Sequence, residues 1–283
     1  THRNLLIGLQ IMISHSFSVL MPVYKNDDPV IFHEAVQSVL ENSIKPSQFL
    51  IVVDGPIGVD LEKVIIFFKN KQASNIEVLR LSKNNGLSVA LNAGLKRIRN
   101  EVVFRADADD INLPNRFEEQ IPYLIDGYDI VGSSIIEMDK DKNFLAKREV
   151  PLEHNKIKKF LKKRSPFNHM TVGYKLSSVM ESGLYPEDYH LREDYALWAV
   201  MISKGAKTIN LKKTLVRATT GMEMYKRRGG INYAKGEFKF QKFLVKLKIK
   251  NILEALIDGV LRFTAFVLPN FIRAYIYINL LRK

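Results

Sequence analysis

Three carboxylates lie within four residues of one another at Asp107, Asp109 and Asp110, directly after an apolar run. Charges this close repel one another unless a cation neutralises them, and oxygen ligands of this kind suit Mg²⁺ or Mn²⁺. Such an ion usually completes its shell with water and substrate phosphates. The segment equally fits a polar turn that caps a helix beginning at Pro114, because aspartate is a common turn and cap residue. The residues alone leave both interpretations open.

Further residues along the chain have types that could do chemistry. Glu193 and Asp194 stand before a helical pattern, where carboxylates also simply favour the positive end of the helix dipole. Arg227 and Arg228 precede two glycines, and arginines on such a loop could close over a diphosphate or could be solvated linker charge. His169 is a lone histidine, which is more often structural than a ligand.

Up to about residue 135, short apolar runs alternate with helical patterns, which predicts a parallel sheet with right-handed crossovers. In such sheets ligands bind beyond the carboxyl ends of the strands. The predicted strands are Phe17–Val23, Phe49–Val53, Ile76–Leu81 and Glu101–Ala106, and the predicted helices are Ile31–Leu40, Leu61–Phe68 and Gly86–Ile98.

The ends of these strands are polar. Pro22 and Tyr24 end the first strand, Asp54 follows the second, Asn85-Gly86 follows the third, and Asp107 follows the fourth. We therefore expect them to converge on one edge of the sheet.

The regular alternation ends after residue 136. Predicted elements there are a basic helix over 153–164, helices at Leu176–Glu181 and Asp194–Ser203, and a strand at Leu211–Val216. The polar stretch Thr219–Gly230 then separates a body at 16–230 from a tail at 231–283.

The charge of the chain is concentrated in its last part. Residues 1–203 carry 25 Lys+Arg and 26 Asp+Glu, whereas residues 204–283 carry 18 and 4, so the net charge of +13 arises in the second segment. Such a tail calls for an anionic partner. Its interleaved phenylalanines and lysines fit an anionic membrane surface, while a basic helical pair packed on the body remains the alternative.

The sequence contains no cysteine, which excludes a disulfide scaffold and cysteine-ligated zinc and favours the cytosol. We expect neither a membrane-spanning segment nor a cleavable signal peptide, because no suitable apolar run stands out.

The motifs taken in order resemble the family 2 glycosyltransferases of the GT-A fold. The resemblance covers about residues 16–230 and implies an α/β fold with a mainly parallel, Rossmann-like sheet flanked by helices, followed by a helical appendage. The matching motifs are Pro22-Val23-Tyr24, Asp54-Gly55, Asn85-Gly86 with Ala90-Leu91-Asn92-Ala93-Gly94, Asp107-Ala108-Asp109-Asp110, and Glu193-Asp194-Tyr195-Ala196-Leu197-Trp198.

On the donor side, the resemblance implies roles for particular residues. Pro22 and Tyr24 would line the nucleotide pocket. Asp54 would hydrogen-bond to the uracil base, and Asn85-Gly86 would pack beside the base and the ribose. Asp107 would contact the ribose or donor sugar. Asp109, with Asp107, would hold Mn²⁺ or Mg²⁺ against the diphosphate, the leaving group that gains charge in the reaction.

On the acceptor side, the resemblance implies that Asp194, next to Glu193, is the general base and that His169 faces the acceptor. A single base with in-line attack inverts the anomeric centre. The Gln-x-x-Arg-Trp motif of processive members is missing, and the single tryptophan, Trp198, is most simply a core residue. We therefore expect one sugar to be added per reaction.

The resemblance extends to bacterial enzymes that build O-antigen or capsule repeat units. It implies a UDP-hexose or UDP-N-acetylhexosamine donor and a saccharide acceptor linked to a polyprenyl diphosphate. The enzyme would then work in the cytoplasm, on the inner face of the plasma membrane. A soluble or protein acceptor is the alternative.

Other function classes find less support in the sequence. Zinc-ligand spacing, a helix-turn-helix pattern and aromatic RNA-binding strands are missing, so nucleic-acid binding rests on charge alone, and we expect no nucleic-acid partner. The phosphate-binding loop of kinases is also missing. A hydrolase with an aspartate nucleophile would carry that aspartate after the first strand, whereas Asp107 and Asp109 follow the fourth. A dehydrogenase lacks Gly-x-Gly-x-x-Gly after Phe17–Val23.

Overall fold

The computed structural model describes residues 16–71, 75–220 and 230–268. Its first half confirms the predicted alternation, with four parallel strands in the order β3-β2-β1-β4. The apolar runs of β1 and β2 are almost completely buried, as expected for strands covered on both faces. The elements are β1 (Phe17–Val23), α1 (Pro29–Leu40), β2 (Gln48–Val53), α2 (Val59–Lys71), β3 (Ile76–Arg80), α3 (Leu87–Leu95) and β4 (Val102–Arg105).

The second half makes the sheet mixed. Strand β8 (Gly173–Lys175) lies antiparallel between β4 and β6 (Ile130–Met138), while β9 (Thr208–Thr219) runs parallel to β6 and antiparallel to β5 (Asp110–Asn112). The parallel arrangement therefore describes the first four strands, and the rest of the sheet curls away from it. The elements are β5 (Asp110–Asn112), α4 (Arg116–Ile125), β6 (Ile130–Met138), β7 (Phe144–Arg148), α5 (His154–Leu161), β8 (Gly173–Lys175), α6 (Leu176–Glu181), α7 (Glu193–Ser203) and β9 (Thr208–Thr219).

Several predicted boundaries differ from the structure by a few residues, among them the start of α4 and both ends of β9. Helix α4 begins at Arg116 rather than Pro114, and its cap position is occupied by Asn115. Strand β9 extends beyond Leu211–Val216 at both ends, because its first residues pair with β6 and its last residues pair with both β6 and β5. Pairing with distant strands is not visible in a local pattern.

Hydrophobic layers cover both faces of the sheet. Phe32, Phe68 and Phe117 belong to the layer formed with α1, α2 and α4. Trp198 lies in the other layer with residues of α3 and α7, where it is fully buried among Phe167, Tyr174 and Tyr185. Trp198 is thus a core residue, as predicted.

A helical hairpin, α8 (Ile231–Lys246) and α9 (Ile252–Val267), follows the body. Helix α8 buries Phe240 and Leu244 in the same layer as Trp198, and the Phe240 ring lies 4.7 Å from that of Tyr195. The boundary at residue 230 stays a prediction. Within residues 16–71, 75–220 and 230–268, no helix has the length and apolar character needed to cross a bilayer.

Candidate active site

Asp54 holds the turn that opens α3. Its carboxylate accepts the backbone N–H of Asn85 at 2.9 Å and that of Gly86 at 2.9 Å. Gly86 has φ +90°, and a Cβ on Gly55 (φ +84°) would lie 2.3 Å from the backbone nitrogen of Asn84, so both positions favour glycine. Three residues predicted to bind the nucleotide, Asp54, Asn85 and Gly86, therefore form one hydrogen-bonded unit.

Pro22 and Tyr24 lie next to this unit. Val23 pairs with Val53 in the parallel sheet, and the N–H of Asp54 donates to the carbonyl of Val23 at 2.9 Å. The N–H of Tyr24 is held by Asp27 Oδ2 at 2.8 Å. The ends of the first three strands thus meet at one edge, as the sequence predicts.

The aspartate cluster follows β4 at the same edge. Asp107, Asp109 and Asp110 each offer a carboxylate oxygen within 4.8 Å of the others. Burial, and then the charges of Asp109 and Asp107, raise the pKa of Asp110 well above its usual value, although the N–H of Thr219 donates to it at 2.9 Å. A divalent cation would relieve this repulsion, so the donor set fits Mg²⁺ or Mn²⁺.

Arg105 joins the two sides of the site. Its side chain is 1% exposed, and it contacts Asp107 Oδ1 through Nε at 2.8 Å and Asp194 Oδ1 through Nη1. Burial alone would lower the pKa of Arg105, but Asp107 and Asp194 raise it well above its usual value. One permanently charged guanidinium therefore holds two carboxylates from distant parts of the chain.

His169 makes a second bridge between the same carboxylates. Its Nε2 lies 3.1 Å from Asp107 Oδ2 and its Nδ1 lies 3.5 Å from Asp194 Oδ2. Burial would raise the pKa of Asp107, but Arg105 and His169 together hold it well below its usual range. The imidazole is 31% exposed, so it lies where a substrate could reach it.

Glu193 and Asp194 form the first turn of α7. Glu193 is buried, and its Oε2 has no hydrogen-bond partner among the described residues. Burial and the neighbouring Asp194 raise the pKa of Glu193. Of the two predicted catalytic carboxylates, Asp194 is therefore the one that a cation contacts directly, through Nη1 of Arg105.

Sequence reasoning missed the buried arginines beneath the site. Arg105 ends an otherwise apolar strand two residues before Asp107, and a charge at a buried strand position is the signal that could have revealed it. Arg116 is fully buried and donates to the carbonyl of Arg105 at 2.8 Å. Burial lowers the pKa of Arg116 to about 9, against the opposing effect of Asp107 and Asp110. The predicted Arg227 and Arg228 lie outside the described residues.

Comparison with known proteins identifies the family. Residues 18–185 match the family model described as "Glycosyl transferase family 2". The chain is a family 2 glycosyltransferase. This result confirms the resemblance drawn from the sequence motifs.

The family 2 glycosyltransferase is similar along nearly its whole length to an Escherichia coli protein named UDP-Gal:alpha-D-GlcNAc-diphosphoundecaprenol beta-1,3-galactosyltransferase. The two are 37% identical over 272 residues, which cover 94% of this chain and 97% of the relative.

Two solved structures share the fold of the glycosyltransferase. S. aureus TarS 1-349, in complex with UDP-GlcNAc, has a TM-score of 0.65 at 16% identity, covering 94% of this chain and 76% of that one. The mannosyltransferase PcManGT from Pyrobaculum calidifontis, in complex with GDP-Man and Mn²⁺, has a TM-score of 0.63 at 14% identity, covering 94% and 81%. The predicted GT-A fold is thereby confirmed, while the roles of individual residues stay predictions.

Proposed function

We propose that the enzyme transfers one hexose or N-acetylhexosamine from a UDP-sugar to a hydroxyl of a saccharide linked to a lipid diphosphate, with inversion. The proposal rests on one observation: Arg105 and His169 each contact both Asp107, which follows β4, and Asp194 of α7, so the two carboxylates lie close together. The name of the E. coli relative supports a UDP-galactose donor and an N-acetylglucosamine diphosphate lipid acceptor.

In this mechanism Asp194 accepts the proton of the acceptor hydroxyl. The acceptor oxygen then bonds to the anomeric carbon while the bond from that carbon to the β-phosphate oxygen breaks, and the electron pair leaves with UDP. Attack opposite the leaving group converts an α-linked donor into a β-linked product. Asp54 holds the Asn85-Gly86 turn against the nucleotide. Glu193 is buried, whereas the side chain of Asp194 is 16% exposed, so Asp194 is the carboxylate that an acceptor can reach.

Asp107 and Asp109, together with Asp110, are the residues that would hold a divalent cation. Their oxygens lie close enough to share one ion, and PcManGT was solved with Mn²⁺. When bound, the cation neutralises the charge that develops on the leaving diphosphate. Asp107 Oδ2 lies 3.1 Å from His169 Nε2 and also accepts from Arg105 Nη2 at 3.3 Å, so a bound cation would share this carboxylate with both side chains.

Activity toward a panel of donors and acceptors tests the reaction. The purified full chain is incubated with UDP-galactose, UDP-glucose or their N-acetylated forms, and with N-acetylglucosamine carried either on a prenyl diphosphate or free. We expect transfer to the diphosphate lipid from one UDP-sugar and a β-linkage by NMR. Equal transfer to the free sugar, or an α-linked product, would contradict the proposal.

Removing the metal-binding carboxylate should abolish metal-dependent donor binding. In Asp109→Ala the cluster loses one of its three oxygen ligands, so calorimetry should show UDP affinity independent of Mn²⁺ and at least about tenfold weaker than wild type with the ion. Asp126→Ala, a change at the C-terminal cap of α4, is the control and should behave as wild type. Unchanged Mn²⁺-dependent binding by Asp109→Ala would exclude it as a ligand.

The apolar outer face of α9 is the surface that we propose contacts the membrane at its cytoplasmic side. Helix α5, which carries exposed Lys156, Lys158 and Lys159, is joined to the start of α9 by the ion pair of Lys162 and Glu254 at 3.1 Å. An apolar face beside a basic helix fits an anionic bilayer surface. The large apolar side chains of α9 that are more than half exposed are Ile252, Leu253, Leu256, Ile257, Val260 and Leu261.

Polar substitutions on this face should weaken vesicle binding. Leu256→Gln combined with Val260→Gln removes two adjacent apolar side chains, each worth about 1.5 kcal/mol or more when fully buried, so binding to phosphatidylglycerol vesicles should fall about tenfold or more. The matched control is Val59→Gln with Ile66→Gln on α2, which are also more than half exposed. Equal sedimentation of both variants with vesicles, or a changed oligomeric state of the α9 variant alone, would contradict a membrane role for this face.

A further inference from the structure

The residue that precedes the two acidic residues of α7 contacts the C-terminal hairpin. Arg192 occupies the N-cap position of α7. Its guanidinium lies 4.0 Å from the ring centroid of Tyr233, and its Nη2 lies 2.9 Å from Glu237 Oε2. The Arg192 side chain is 10% exposed and that of Glu237 is 0% exposed. An ion pair closed to solvent therefore joins the start of the helix that carries Asp194 to the middle of α8.

Glu237 is held by α8 and α9 together. Its Oε1 accepts from Gln241 Nε2 at 2.7 Å and lies 3.7 Å from Nε of Arg262, which comes from α9. A buried carboxylate between two arginines is held by both, because moving away from either one weakens the compensation of its charge in the interior. The position of Arg192 is thus set by the packed hairpin.

Tyr195 makes other contacts of the first turn of α7: its ring lies 4.7 Å from that of Phe240 on α8, and its hydroxyl donates to the carbonyl of Leu161. No side-chain hydrogen bond caps the helix at Arg192, and Glu193 Oε2 has no hydrogen-bond partner among the described residues. The Asp194 carboxylate is held by Arg105, at the end of β4. The backbone that carries Asp194 is linked to α8 through Arg192, two residues earlier.

We propose that Glu237 is a positioning residue for Asp194, so that α8 supports the active site through the ion pair of Glu237 with Arg192. The proposal rests on the proposed function, in which Asp194 is the base. Displacement of a base by about 1 Å is enough to cost on the order of 10²-fold in rate. The hairpin also carries the apolar face of α9, so membrane contact and base positioning share one structural element.

Glu237→Gln in the full chain tests the proposal. The amide keeps the size of the side chain but removes the charge that holds Arg192. We expect kcat to fall by about 10- to 100-fold, while KM for UDP-galactose and the calorimetric affinity for UDP stay within about twofold. Glu237→Asp retains the carboxylate and should recover part of the lost kcat. The acceptor in these assays is N-acetylglucosamine on a short prenyl diphosphate.

Asp258→Asn is the matched control, because it breaks the ion pair of Asp258 with Lys250 within the same hairpin and does not contact Arg192. It should lower the thermal unfolding temperature without changing kcat. Wild-type kcat in Glu237→Gln, or a loss of kcat no larger than that of Asp258→Asn, would overturn the proposal. Full activity of Asp194→Asn would instead reject the assignment of Asp194 as the base. This outcome is measured separately from any effect of the Glu237 variants.

Discussion

Replacement of Asp194 by asparagine should lower kcat by about 10²–10⁴-fold and leave UDP binding intact. Asparagine has the shape of aspartate and can still accept a hydrogen bond from Arg105, but its amide cannot take up the acceptor proton. The proposed donor contacts lie at the strand ends, around Asp54 and Asp107, and do not involve α7. Initial rates with saturating donor and acceptor, together with calorimetry of UDP in Mn²⁺, measure the two effects separately.

The control for this substitution is Asp188→Asn, which changes an acidic side chain that is 80% exposed and pairs with Lys239 at 3.3 Å. Its kcat should match that of wild type. If Asp194→Asn retained wild-type kcat, the base assignment would be rejected. His169 would then be the nearest alternative base, since its Nδ1 lies 3.5 Å from Asp194 Oδ2.

The first half of the fold could be predicted because its signals are local. Strand β1 lies at Phe17–Val23, as predicted, since a run of buried apolar residues is a strong signal for a central parallel strand. The rule that polar residues gather at the carboxyl ends of parallel strands then places Asp54 and Asp107 at one edge before any distance is known. The same rule carries no information for β6, β8 and β9, whose pairing is mixed.

The contacts that complete the site could not be predicted, because they join residues far apart in sequence. Arg105 and Asp194 are 89 positions apart, and Arg192 and Glu237 are 45 apart. Periodicity shows that a helix has an apolar face but does not show what covers it. The lysines and phenylalanines of the tail predicted a membrane-associated helix or a packed one, and the structure shows that α8 packs Phe240 on α7 while α9 exposes Leu253 and Leu261.

The substitution with the largest expected effect on stability is Arg105→Met. Methionine fills part of the space but leaves Asp107 and Asp194 facing each other in a largely buried site without their shared cation. Loss of one partner from a buried ion pair typically costs about 3–5 kcal/mol of unfolding free energy. Urea unfolding should show this loss, and kcat should fall with it, because both carboxylates lose their orientation. Arg80→Met removes a half-exposed arginine paired with Glu62 and should cost at most about 1 kcal/mol.

Combining Arg105→Met with Asp194→Asn separates the electrostatic cause from simple loss of packing. If the unpaired charge of Asp194 causes the destabilisation, the double variant should be more stable than the sum of the single effects predicts, with a coupling of about 0.5–3 kcal/mol. Packing loss alone would give additive effects, since asparagine has the size of aspartate. Additivity in urea unfolding would therefore show that the unpaired charge of Asp194 is not the cause of the destabilisation.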